Sequence, residues 1–366
     1  MIPGRATPEG TRRFAERAAA AEGHFRRAGD LTLSSLGLGT YLGREDAATD
    51  SGYEASLGRA LELAVNVIDA AINYRGQRSE RAIGRALDRA IAAGRASRDE
   101  VFLSTKGGYF PHDAEDPRDP RRYLREEFID SGLAPRDEIA GGVHCMAPGY
   151  LADQIDRSRV NLGVETIDLY YLHNVETQRG SMTAAVFRSR LRRAVEELER
   201  AVAAGKIGSW GLATWDGLRA PPEHPEHLSL EETVAVAREV AGEGHHFTAV
   251  QLPINLGMPQ AIAYPSQMVG GERRPAAPAA RSLGLAAFGS ASLLQGRLAQ
   301  DLFDEIEEAF PEARTAAQRA LQFARSGPGV TSSLVGVSRL EHADEDFSVS
   351  RLAPASEARI VKFFER

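Results

Sequence analysis

The sequence predicts a closed barrel in which eight parallel β-strands alternate with α-helices. Three observations predict it: short β-type runs recur with helical patterns between them, their count is eight, and the fingerprint of the main competing fold is missing. Strand–helix alternation implies right-handed crossover units and a parallel sheet buried on both faces. Eight units in one chain of 366 residues point to closure into a (β/α)8 barrel. An open doubly wound sheet is the runner-up, but no Gly-x-Gly-x-x-Gly follows the first strand.

The strands are expected at Ser35–Gly39, Val67–Asp69, Val101–Thr105, Ile167–Leu172, Ile207–Leu212, Thr248–Gln251, Leu285–Phe288 and Ser333–Val337. Each is a short run of apolar and β-branched residues with turn-forming residues beyond it. Helical periodicity is read over Tyr53–Ala64, Ser79–Ala93, Leu151–Leu162, Ala184–Ala204, Leu230–Ala241 and Ile306–Ala324. Before the first barrel strand, two extended runs flank Ala28-Gly29-Asp30, a β-hairpin suited to plug the bottom of a barrel. Residues 1–24 read as a surface extension with a short helix over Phe14 to Ala21, and 25–366 as a single barrel domain. Two stretches read as irregular, Gly107–Pro148 and Leu256–Arg281, and both fall between a strand end and the next helix, at the barrel top.

Composition narrows the function classes. A hydrophobic fraction of 43% beside 26% charged residues suits a globular protein, and a net charge of −7 argues against a nucleic-acid partner. Cys145 is the only cysteine, so an intrachain disulfide is impossible and a reducing cytoplasm is expected. No apolar run is long enough to cross a bilayer, and the Arg-rich N-terminus lacks the apolar core of a secretory signal. Glutamates interleaved at 9, 16 and 22 speak against a transit peptide.

Active sites of such barrels gather at the C-terminal ends of the strands. Asp69 closes the second strand, Tyr74 stands in the loop beyond it, Lys106 follows the third strand and His173 the fourth. Singly each has a structural reading: a turn cap, a packed ring, a solvated strand end, a satisfied loop histidine. Together, at one end of consecutive strands, they suit proton delivery. A lysine held against a phenol oxygen lowers its pKa, an aspartate keeps the lysine charged, and a histidine across the pocket orients the substrate. Such a phenol protonates a carbonyl oxygen while something else attacks the carbon. The chain offers no nucleophile there, so a bound hydride donor is implied. A metal site from His112, Asp113, His144 and Cys145 lacks paired-ligand spacing, and no metal is expected.

GLGTYLG, NVIDAAINYRGQRSERAIGRAL, TKGG, DLYYLHN, AVEELERAVAAGKIGSWGLATW, AVQLPINL and SSLVGVSRLEHADED occur in this order. In order and spacing they resemble the strand motifs of the aldo-keto reductases, from about Phe25 to the C-terminal helix. The resemblance implies an NADP(H)-dependent enzyme, with NAD possible, interconverting a small carbonyl substrate and its alcohol. It implies Tyr74 as general acid, Lys106 and Asp69 tuning it, and His173 orienting the substrate. It also implies Gln251 on the nicotinamide carboxamide and Phe288 stacked on the nicotinamide ring, where the family usually has tyrosine. Ser338, Arg339 and His342 fall at the phosphate, with Glu345 at the adenine amino group. Tyr109, Phe110 and Asn174 fall at the substrate pocket.

Departures from the family pattern are specific. Gly211-Leu212-Ala213-Thr214 replaces Gly-Val-Ser-Asn, leaving Thr214 to hold the carboxamide without its usual neighbour. Asp346 replaces an asparagine beside the adenine. The loop Gly289–Arg297 lacks a Ser-Pro pair, and its phosphate contacts fall by chain position on Ser290, Ser292 and Arg297. The segment 107–148 is much longer than usual and is expected to cover the substrate side as a lid. Two other function classes remain: a nucleotide-binding sensor or scaffold with little turnover, like the potassium-channel beta subunits of this fold, and a metal-dependent barrel hydrolase or isomerase. The latter needs His and carboxylate ligands at several strand ends, which are mostly absent.

Overall fold

The computed structural model describes residues 1–300 and 302–364; the C-terminal limit of the expected barrel domain, 366, lies outside them. An antiparallel hairpin comes first, β1 (Phe25–Ala28) and β2 (Leu31–Ser34). The barrel strands are β3 (Leu36–Gly39), β4 (Val67–Asp69), β5 (Phe102–Gly107), β6 (Ile167–His173), β7 (Ile207–Ala213) and β8 (Phe247–Pro253). A second hairpin, β9 (Gln267–Val269) and β10 (Glu272–Arg274), precedes the last two barrel strands, β11 (Ala286–Ser290) and β12 (Ser332–Gly336). The eight barrel strands pair in parallel and close in the order β11-β12-β3-β4-β5-β6-β7-β8, the expected (β/α)8 barrel.

Local chemistry sets the helix boundaries. Asp46, Thr183 and Ser229 accept from N–H groups in the first turns of Ala47–Glu62, Ala184–Ala203 and Leu230–Ala241. Gly163, at φ 66°, ends Pro148–Leu162 in the left-handed conformation that glycine adopts without penalty. Inside the barrel, Val67, Phe102, Leu169, Tyr171, Ala249, Phe288 and Leu334 form one apolar cluster, closed from below by Leu33 of the hairpin.

Four expectations need correction. The segment before the first hairpin is docked on the barrel rather than laid on its surface. Ile2 pairs its backbone with Gly163 and Glu165, the Ala6 N–H donates to Asp168 at 2.6 Å, and Phe14 is buried in the core. Its helix runs Pro8–Arg17, started by a Thr7 cap and Pro8. The periodicity over 306–324 belongs to two helices, Asp304–Ala309 and Ala316–Arg325. Pro311 pushes Phe310 out of the helical region, to φ −131° and ψ 61°, and has no N–H to carry the ladder onward.

The stretch 256–281 is also largely regular. Gly270 and Gly271 turn the β9–β10 hairpin, and an alanine-rich helix follows at Ala276–Ser282. Pro275 and Pro278 fall at its cap and first turn, where no intrahelical donor is needed. Finally, segment 107–148 is packed rather than irregular. Tyr123, Phe128, Ala134 and Cys145 form a small core of their own with Tyr150. Arg81–Asp113 and Arg157–Glu127 ion pairs fasten the segment to the helices Arg78–Ala92 and Pro148–Leu162. Within it, a helix at Pro120–Leu124 runs into a wider turn at Arg125–Ile129.

Candidate active site

A cavity of about 940 Å³ opens at the C-terminal ends of the barrel strands. That is the upper end of the range for small-molecule and cofactor sites. Asp69, Tyr74, Tyr109, His173 and Asn174 line one part of it, and Ser338, Arg339, His342, Glu345 and Asp346 another. Thr214 and Gln251 stand in the wall as well.

Lys106 is fully buried behind Tyr74. Its ammonium donates to Asp69 Oδ2 at 2.5 Å and to the Ala70 carbonyl at 2.7 Å, and lies 4.9 Å from the centroid of the Tyr74 ring. The other Asp69 oxygen accepts from Ser104 Oγ at 2.7 Å and from the Gln251 amide at 2.9 Å. The carboxylate thus ties together three strands.

The loop that presents Tyr74 is held in an uncommon backbone shape. Arg75, Gly76 and Gln77 all have positive φ, between 52° and 67°, which costs a non-glycine residue on the order of 1 kcal/mol or more. The Arg75 guanidinium fixes the loop by bonding Asp50 at 2.5 Å and the Arg44 carbonyl at 2.8 Å. Asn174, Ala291, Leu294 and Gln295, all beside the cavity, share this positive φ, so unusual backbone concentrates at the rim.

Electrostatics differ from the expectation at the phenol. Burial, and next the Asp69 charge, push Tyr74 well above its ordinary value rather than below it. Lys106 is already bonded to Asp69 and Ala70 and meets the ring face, so its charge does little for the phenolate. Burial also lowers Lys106 itself, opposed by Asp69. His173 is pushed well below its ordinary value by burial, then by Lys106 and His144, so its imidazole is neutral at pH 7. Its ring packs edge-on to Tyr74 with centroids 5.8 Å apart, and its Nδ1 is buried without a protein partner among the described residues. His144 Nε2 lies 2.7 Å from the His173 carbonyl, which only accepts, so that nitrogen carries the hydrogen and steadies the strand end.

The family model for the aldo/keto reductase family matches residues 35–220, more than half of the chain. The chain belongs to the aldo/keto reductase family. No curated protein sequence matches it. Among solved structures it is similar to an aldo-keto reductase from Bacillus halodurans in its holo form, at 18% identity and TM-score 0.60, covering 92% of this chain and 95% of that one. An aldo-keto reductase from Klebsiella pneumoniae in complex with NADPH is 20% identical, with TM-score 0.61 and coverage of 94% and 95%. The glycerol dehydrogenase of Gluconobacter oxydans is 18% identical, with TM-score 0.64 and the same coverage. At such identities these likenesses carry the fold alone.

Three residues expected at an aldo-keto reductase site, Phe288, Phe110 and Arg297, are elsewhere. Phe288 is buried in the barrel interior, stacked on Phe102 with centroids 5.8 Å apart and rings 3° from parallel, and does not line the cavity. The residue of β11 that does is Ser290, two positions on and therefore on the same face, one layer higher. Phe110 packs against Phe128 and Tyr150 in the small core of segment 107–148, of which only Tyr109 reaches the cavity. Ser292 lines the wall, whereas Arg297 is exposed outside it. Tyr41, Asn73 and Trp215 line the cavity without having been singled out; each lies within a few residues of a strand end, the only sequence signal that marks them. Among the described residues no three or more His, Cys, Asp or Glu side chains cluster as metal ligands, and no helix is long and apolar enough to cross a membrane. His112 bonds Glu45, and Asp113 pairs with Arg81.

The far end rests on close packing and leaves charges free. A Cβ on Gly52 would lie 2.0 Å from the Ser338 carbonyl, so only glycine lets the helix Ala47–Glu62 approach this loop. Arg339 is exposed, with Glu341 4.0 Å away. Asp346 is buried with no protein hydrogen-bond partner among the described residues, and burial, then Glu345, push it up to about 7. A carboxyl raised above its ordinary value stabilises the fold least at high pH: stability is full below the unfolded-state value and drains away as pH rises to about 7. Asp346→Asn is expected to unfold like the parent near about pH 4 and to gain up to about 4 kcal/mol near about pH 8, read by urea unfolding. Equal stability at both pH values would show that the carboxyl is ionised in the folded protein.

Proposed function

We propose that this family member is an NADP(H)-dependent carbonyl reductase that converts an aldehyde or ketone to an alcohol, with Tyr74 as the proton donor. The observation that carries the reading is a phenol held protonated beside a neutral His173, at one end of a cavity whose other end presents Ser338 and Arg339. A bound dihydronicotinamide supplies the hydride that such a reaction needs. The residues fit that group: Thr214 Oγ1 and Ser292 Oγ are buried in the wall without partners among the described residues, and Arg339 carries donors suited to a phosphate. Arg339 favours NADP over NAD.

In this reading Tyr74 delivers its proton to the carbonyl oxygen, and His173 fixes that oxygen through a ring nitrogen. Asp69 and Lys106 hold the floor beneath the phenol. Gln251 reaches the cofactor only by sharing its amide with Asp69, the bond it already makes. Substrate contacts fall to Tyr109 and Asn174.

The test is to mix protein, NADPH and a panel of activated aldehydes and follow nicotinamide absorbance, with nucleotide binding measured separately by fluorescence quenching. Consumption of NADPH that depends on aldehyde is expected. Quenching without consumption across the panel replaces this reading with that of a nucleotide-binding sensor.

A further inference from the structure

A second cavity, of about 390 Å³, lies at the opposite mouth of the barrel, at the N-terminal ends of β11 and β12. Arg26, Arg27 and Arg281 line it, together with one carboxylate, Glu357. Glu357 is already taken, since Arg281 donates to it at 2.5 Å. Arg26 has no carboxylate partner among the described residues. One of its nitrogens, Nη1, donates to the carbonyls of Arg325 and Val330, both at 2.7 Å, and the rest of the fork has no protein acceptor there.

Directly behind the wall stands a second unpaired guanidinium. Arg325 is fully buried and, among the described residues, is met by neutral partners: the Gln322 amide oxygen at 2.6 Å, Ser35 Oγ at 3.2 Å, His24 Nδ1 at 3.4 Å and the Leu352 carbonyl at 2.5 Å. Buried arginines are ordinarily paired, because desolvating a charge is costly unless an opposite charge offsets it. Here Arg325 is fully buried and Arg26, half-buried, bonds its carbonyl; each is hydrogen-bonded and neither is in direct contact with a carboxylate among the described residues. Burial lowers Arg26 to about 10, opposed by the Glu357 charge, and lowers Arg325 to about 9, helped by the Arg26 charge and opposed by Glu312, yet both remain charged at neutral pH. In a chain of net charge −7 this is a localised, partly dry positive pocket. Guanidinium forks match tetrahedral and planar oxyanions through paired N–H donors.

We propose that the cavity at the barrel floor binds a small oxyanion of the phosphate class, held by Arg26 and Arg27 and placed to offset the buried charge of Arg325. This does not rest on the activity proposed above, because the site is at the other end of the barrel from Tyr74 and Arg339.

The test is calorimetric titration with inorganic phosphate, at constant ionic strength set with chloride. It uses Arg339→Gln as the parent, which removes the guanidinium at the upper cavity. Saturable binding that persists in this parent is expected, together with a rise in melting temperature with phosphate concentration. Adding Arg26→Gln should weaken binding about tenfold or more. Because Arg26 also supports two carbonyls, Arg27→Gln is the second variant; it holds little in the fold and should still weaken binding severalfold. Titration with a phosphomonoester distinguishes a free ion from a phosphorylated metabolite by which binds more tightly. Absence of saturable binding in the Arg339→Gln parent, or binding that survives both floor substitutions unchanged, overturns the proposal.

Discussion

Tyr74→Phe is expected to lower the rate of aldehyde reduction roughly 100- to 10,000-fold, the range over which a positioned acid or base contributes. The substitution deletes one oxygen and leaves the ring in place. The edge contacts to Tyr41 and His173, with centroids 5.1 and 5.8 Å away, persist, as does the Lys106 ammonium over the ring face. Nucleotide affinity should therefore change little, and the loss should fall on the chemical step, as single-turnover mixing with preformed nucleotide complex will read. The direction of the Tyr74 shift adds a pH signature. Because burial and Asp69 raise the phenol, its acid form is full at neutral pH and stays full beyond the ordinary tyrosine range. Reduction should be flat with pH across neutrality as far as this group is concerned. Alcohol oxidation needs the phenolate, which is scarce at pH 7, so its rate should climb with pH. A Tyr74→Phe protein that reduces aldehydes as fast as the parent removes the tyrosine from the mechanism.

What the sequence made legible, and what it hid, follows from how a barrel encodes position. Strand ends are marked in the chain by the passage from an apolar run to polar residues, so Asp69, Tyr74, Lys106 and His173 were recognisable as one constellation before any geometry. Depth inside the barrel is not marked. Phe288 and Ser290 both point inward with a period of two, and only the stagger of neighbouring strands decides which reaches the top layer. Phe110 was misplaced for a related reason: segment 107–148 folds on its own aromatic residues, and no local pattern says that Tyr109 faces the cavity while its neighbour turns away. The docking of the N-terminal segment uses backbone pairing at Ile2 and the Asp168 carboxylate, contacts without any hydrophobic period. The sign of the Tyr74 shift depended on which atoms Lys106 touches, and spacing along the chain is silent on that.

Breaking the Lys106–Asp69 pair is expected to cost folding stability about 3–5 kcal/mol, since removing one partner strands the other charge out of water. The two single substitutions should differ in what they leave behind. Lys106→Met leaves Asp69 with the Ser104 hydroxyl and the Gln251 amide, two neutral donors that satisfy one oxygen. Asp69→Leu leaves the ammonium with the Ala70 carbonyl as its remaining bond, in a site where no part of the side chain reaches solvent. The aspartate substitution should therefore be the more damaging, and it also frees the Gln251 amide. Combining the two replaces a buried ion pair by apolar volume, and the double variant should recover part of the loss, because the remaining charge is then gone as well. Urea unfolding of the four proteins gives the coupling directly, and stability unchanged in either single variant contradicts a buried pair. Removing the Lys106 charge has a second readout, at His173. That ammonium is one of the causes holding the imidazole below its ordinary value, so Lys106→Met should move the His173 titration upward, while burial still keeps it below that of a free histidine. A histidine signal that does not move would mean that the charge is carried elsewhere than on the lysine.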